Sequence, residues 1–74
     1  MLIVNAPLKR EFIISLLNAK TIDGITFTYV RSDNMKLYFN YTPEDPELAK
    51  RIAKATIKAS EFGPALFFNV EIHD

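Results

Sequence analysis

Two alternating runs, ITFTYVR at residues 25–31 and MKLYFNYT at 35–42, are separated by only three residues, SDN. Side chains of a strand alternate between its faces, and a turn-forming cluster of this length folds the second run back onto the first. Strands so close in sequence cannot be parallel neighbours, because a parallel pair needs a long crossover. An antiparallel hairpin therefore lies near the middle of the chain, and the remaining elements must be arranged around it.

On the N-terminal side, MLIVN is a short β-type run. It ends at Asn5, a good helix N-cap, with Pro7 suited to a first helical turn. Leu8, Phe12, Leu16 and Ala19 then recur at helical spacing, which predicts a helix from Pro7 to about Ala19. TIDG breaks that pattern, with Gly24 placed for a tight turn. Beyond the hairpin, Thr42 with Asp45 resembles a capping box, and Asp45 before Pro46 offers a second N-cap. Glu44, Asp45 and Glu47 suit the positive end of a helix that is expected to run to about Phe62. Gly63 supplies its stop and Pro64 prevents continuation. ALFFNVEIH closes the chain as an alternating strand.

The order is β-α-β-β-α-β, the ferredoxin-like pattern of an α+β fold. Right-handed crossovers would give a two-layer sandwich with an antiparallel sheet in the order 4-1-3-2 and both helices on one face. No repeat or linker divides residues 1–74, which read as a single domain. A chain this short buries only ~60% of its unfolded surface, and its core supplies about 3–5 kcal/mol net. It has no cysteine, so neither a disulfide nor a zinc–thiolate site can add to that. Apolar density and self-association are the remaining remedies, and a composition 49% hydrophobic with six phenylalanines fits both. The four-residue N-terminal apolar run is neither a signal peptide nor a membrane span. A small cytoplasmic protein with no membrane attachment is the expectation.

Alternation divides MKLYFNYT into a core set, Met35, Leu37, Phe39 and Tyr41, and an open-face set, Lys36, Tyr38 and Asn40. The open face of the sheet should also carry Ile3, Thr26, Thr28, Val30, Phe67 and Asn69. Such a topology resembles that of the RNA-recognition-motif class, which stacks bases on aromatics of its two central strands. That resemblance is confined to topology, because NMKLYFNY lacks glycine and LIVNAP supplies no exposed ring. A metallochaperone of this fold would need paired cysteines. An acylphosphatase-like site would need a glycine-rich anion loop where this chain has NAPLKR, and NAPL is only an echo of the Asp-x-Pro-Gly turn of ACT domains.

No nucleophile motif or phosphate-binding loop is present, and the one histidine, His73, has no metal-ligand or acid–base spacing around it. No catalytic residue, cofactor or metal is therefore expected. Nine basic residues balance nine acidic ones, whereas dedicated nucleic-acid binders are usually basic. Lys50, Arg51, Lys54 and Lys58 share one flank of the second helix, interleaved with Glu47 and Glu61; the opposite flank carries Leu48, Ile52, Ala55, Ala59 and Phe62. On the first helix Ile14 falls opposite the apolar arc and, with Leu17, could seed a contact.

These features point to a non-enzymatic interaction or regulatory binding module, self-associating as a dimer or meeting another protein. Its surface would be the open sheet (Ile3, Val30, Lys36, Tyr38, Asn40, Phe67, Asn69), a sheet edge, or helix one (Ile14, Leu17). The alternative is single-stranded RNA binding on Tyr38, Phe67 and Lys36, aided by Lys50, Arg51, Lys54 and Lys58.

Overall fold

The computed structural model describes residues 1–73. It has five strands and two α-helices: β1 (Leu2–Asn5), α1 (Arg10–Leu17), β2 (Lys20–Ile22), β3 (Ile25–Asp33), β4 (Lys36–Thr42), α2 (Pro46–Lys58) and β5 (Asn69–Ile72). A short 3-10 helix, Gly63–Ala65, precedes β5. All strand pairs are antiparallel, and the sheet runs β2-β3-β4-β1-β5. This is not the four-strand 4-1-3-2 order expected from the sequence: a fifth strand, β2, lies at the edge beside β3.

Strand β2 exists because Asp23 and Gly24 both take positive φ, 50° and 86°. Two positive-φ residues between Ile22 and Ile25 form the tight hairpin turn that Asp-Gly favours, and Ile22 then pairs with Ile25. The turn from β3 to β4 uses Asn34 at φ 56°, a residue that tolerates this region.

Alternation places Leu2, Val4, Ile25, Phe27, Leu37, Phe39 and Val70 on one face of the sheet. With Ile13 and Leu17 of α1 and Ala49, Ile52, Ala53 and Ile57 of α2 they form one buried cluster, so both helices cover the same face. Alanines on α2 let that helix approach the sheet closely.

Both helices differ from their expected limits. Lys9, not Asn5, precedes α1, in the left-handed region at φ 58° and with no side-chain cap. Starting later shifts the buried phase onto Ile13 and Leu17, leaving Leu8 68% exposed and Ala19 in a turn. Helix α2 ends at Lys58, and its inner residues are Ala49, Ile52, Ala53 and Ile57, not Ala55 and Ala59. Phe62 instead meets Phe12 edge-on, with ring centroids 4.9 Å apart, and Lys9 Nζ lies 4.5 Å from the centre of the Phe62 ring. These contacts tie the start of α1 to the turn after α2.

The Asp45 carboxylate accepts the Leu48 amide at 3.2 Å and caps α2; Thr42 is not the cap. Asp45→Ala should lower stability by about 1 kcal/mol and the melting temperature by roughly 4–8 °C. An unchanged thermal denaturation curve would show that solvent satisfies the Leu48 amide equally well.

Candidate interaction surface

Pairing registers define the open face row by row. Glu71, Ile3, Tyr38 and Arg31 stand across β5, β1, β4 and β3, and Asn69, Asn5, Lys36 and Asp33 form the next row. Asn40 faces Thr28 in a third row. Lys36, Asn40 and Asn69 are exposed on this face, as the sequence indicates. Tyr38 is half-buried, and the Arg31 guanidinium carbon lies 4.1 Å from its ring centre. One face of that ring is thus covered by a cation of the protein itself.

Three residues assigned to the open surface differ from that expectation in exposure, register or position. Ile3 belongs to this face but is only 3% exposed, because β1 is an interior strand whose neighbours Tyr38 and Glu71 flank it. Val30 is the extra residue where the β3–β4 register shifts between Tyr29 and Arg31, so Arg31 takes the place beside Tyr38. Phe67 lies ahead of β5, outside the sheet, and is 85% exposed. On α1, Leu17 is fully buried, which removes it as a contact surface, whereas Ile14 is half-buried against the core and keeps part of its surface in a groove at the start of α1. Met35, assigned to the core, is exposed in the β3–β4 turn.

The two edges of the sheet are unlike. One ends in β2, three residues long with Lys20 on it, while β3 beyond it carries the irregularity at Val30. Short strands, lysines and bulges are the usual devices that prevent an edge from pairing with another chain. Strand β5 forms the other edge, and its segment, FFNVEI from Phe67 to Ile72, has no lysine, proline or bulge. Beside it, Lys58, Gly63, Pro64, Leu66, Phe67 and Phe68 line a groove of about 450 Å³. A larger groove, about 550 Å³, lies between the start of α1 and β3, lined by Leu8, Lys9, Arg10, Ile14, Tyr29 and Ser32 among others.

Lys50, Arg51, Lys54 and Lys58 are all exposed on α2. Arg51 shares a groove with Asp45, Glu47 and Leu48, whereas Lys58 lines the groove that holds Phe67. Sequence reading placed Phe67 with Tyr38; the structure sets it beside the end of the lysine flank instead. Apart from Lys58 its neighbours in that groove are apolar, and a ring so exposed in such a setting suits contact with another molecule.

Among the described residues no polar or charged side chain is buried, and no group of three or more His, Cys, Asp or Glu is placed to hold a metal ion. No helix is long and apolar enough to cross a membrane. Compared with known proteins, the chain matches no family model, no curated protein and no solved structure.

Proposed function

We propose that this chain is a ferredoxin-like, non-enzymatic protein-interaction module that binds by accepting an added strand at the β5 edge, with Phe67 as the anchor. The observation that supports this reading is the contrast between the two edges: the β2–β3 side bears a lysine and a bulge, whereas the β5 side, itself only four residues long and carrying Glu71, has neither and stands beside an 85%-exposed phenylalanine. Strand addition gives affinity through main-chain bonds and specificity through side-chain pockets, and the groove beside Phe67 is such a pocket. The ferredoxin-like assignment is supported by the order β3-β4-β1-β5, which is what remains when β2 is set aside as an appended hairpin strand. RNA binding on the open face has less to rest on, since Arg31 covers Tyr38 and Phe67 stands off the sheet.

The test uses three extended seven-residue peptides of one alternating apolar pattern, whose polar positions are acidic, neutral or basic. Titrated into isotope-labelled protein, at least one should shift and protect the amide of Ile72 on the β5 edge, and Phe67→Lys should weaken that binding at least about tenfold. Shifts confined to Lys36, Tyr38 and Asn40, or no saturable shift with any peptide, would refute strand addition.

A further inference from the structure

The three most exposed apolar side chains gather at one end of the molecule. Leu8, Met35 and Phe67 are 68, 52 and 85% exposed. They come from separate loops: between β1 and α1, between β3 and β4, and ahead of β5. Those loops leave the sheet at Asn5, Lys36 and Asn69, which share one row. The Ala6 amide donates to the Met35 carbonyl at 2.8 Å, and Lys9 Nζ lies over the Phe62 ring, so the three loops are tied to one another. Sequence pattern assigns Leu8 and Met35 to the core and Phe67 to the sheet. Single exposed apolar residues are ordinary, but departures from pattern that coincide in space mark a surface in use.

A cation adjoins each of them. Lys9 and Arg10 follow Leu8, Lys36 follows Met35, and Lys58 lines the groove that holds Phe67. Glu11, Asp33 and Glu61 lie at the same end, so the excess of positive charge there is small. The opposite end, made by the β2–β3 turn and the start of α2, carries Asp23, Glu44, Asp45 and Glu47. Helix α2 runs from that end to this one, and its 13 residues span about 20 Å. Those four carboxylates therefore lie beyond the screening length of about 8 Å at physiological salt.

Apolar side chains flanked by cations fit an anionic lipid surface. The side chains enter the boundary between headgroups and acyl chains, and the cations stay among the phosphates. Another protein fits less well, because its interface would centre on one packed apolar core, whereas these side chains stand on different loops. Lying on a bilayer requires no helix that crosses it. Independently of strand addition, we propose that the end formed by Leu8, Met35 and Phe67 docks on the surface of an anionic membrane, with Lys9, Arg10, Lys36 and Lys58 at the level of the headgroups.

The chain has no tryptophan, so Leu8→Trp, Met35→Trp and Phe67→Trp each introduce a single reporter. With phosphatidylcholine vesicles containing about 30% phosphatidylserine, all three should shift their emission to the blue and be quenched by brominated acyl chains. Glu47→Trp, at the other end, should do neither. In co-sedimentation the parent should bind these vesicles about fivefold more tightly than phosphatidylcholine alone, the preference that one net cation supplies. Leu8→Glu combined with Met35→Glu should weaken sedimentation at least about tenfold, with the melting temperature near that of the parent and peptide binding at Ile72 unchanged. Quenching of the Phe67→Trp reporter alone, equal binding to both vesicles, or binding to neither overturns the inference. A dimer by light scattering that the Leu8→Glu, Met35→Glu pair dissociates overturns it too. Vesicle binding with no peptide shift at Ile72 would sink strand addition and leave membrane docking standing.

Discussion

Phe39→Ala should leave a chain with no cooperative unfolding transition at room temperature. Phe39 lies on β4, an interior strand, in register with Leu2 on one side and Tyr29 on the other, and is fully buried. Its ring meets Tyr29 edge-on at 5.8 Å. Truncating a buried phenylalanine costs about 3–5 kcal/mol, because the transfer energy is lost and a cavity is left in a packed interior. A domain of this size has only about that much net stability. Phe39→Leu, which retains most of the volume, should cost less than about 1.5 kcal/mol and keep a sharp transition. Thermal denaturation followed by circular dichroism separates the two. A sharp Phe39→Ala transition within a few degrees of the parent would show that the sheet and helices close around the lost ring.

Gly63→Ala should be the next most damaging change, although it adds a single methyl group. A Cβ at Gly63 would stand 2.1 Å from the Lys58 carbonyl oxygen and 2.6 Å from that of Ile57. Both belong to the last turn of α2, so relief requires movement of main chain and not of a flexible side chain. Overpacking of this kind costs about 1–3 kcal/mol, and contact with a rigid helix end places Gly63→Ala toward the upper figure. The denaturant midpoint measures the loss. Displacing Gly63 also shifts the groove it lines with Phe67, so peptide binding should weaken even where the variant is fully folded. A stable variant with unaltered binding would show that the chain after α2 can rise away from the helix without disturbing β5.

Ile25, Phe27, Leu37 and Phe39 were legible from the sequence because a half-buried strand writes its period plainly and a three-residue gap leaves few alternatives. Pro46 after Asp45 marked the start of α2 for an equally local reason. Helix α1 was harder: Phe12, Ile13, Ile14, Leu16 and Leu17 surround most of its circumference with apolar residues, so spacing alone does not select the phase. Strand β2 is too short for periodicity, yet Asp23-Gly24 between two isoleucines carried its signal. Val30 shows how one extra residue reverses the parity of all that follows in a strand, which brings Arg31 to Tyr38. The unbroken apolar run Leu2-Ile3-Val4 was the sign that β1 is covered on both faces. Phe67 depended on a partner: β1 pairs only as far as Asn5, and the Ala6 amide bonds to the Met35 carbonyl, toward β4. Leu66–Phe68 therefore has no strand to join, and no local pattern reports that.

The place of β1 in the sheet bears on how the protein is made. Of these five strands β1 is made first, and it sits between β4 and β5, the latter formed from residues 69–72. Its side chains must wait for their second neighbour until residues 69–72 have been made, and this sheet cannot close until Ile72 has left the ribosome. Until then Leu2, Ile3 and Val4 can have β4 on one side and no strand on the other. Slow decoding between α2 and β5 would lengthen that one-sided state.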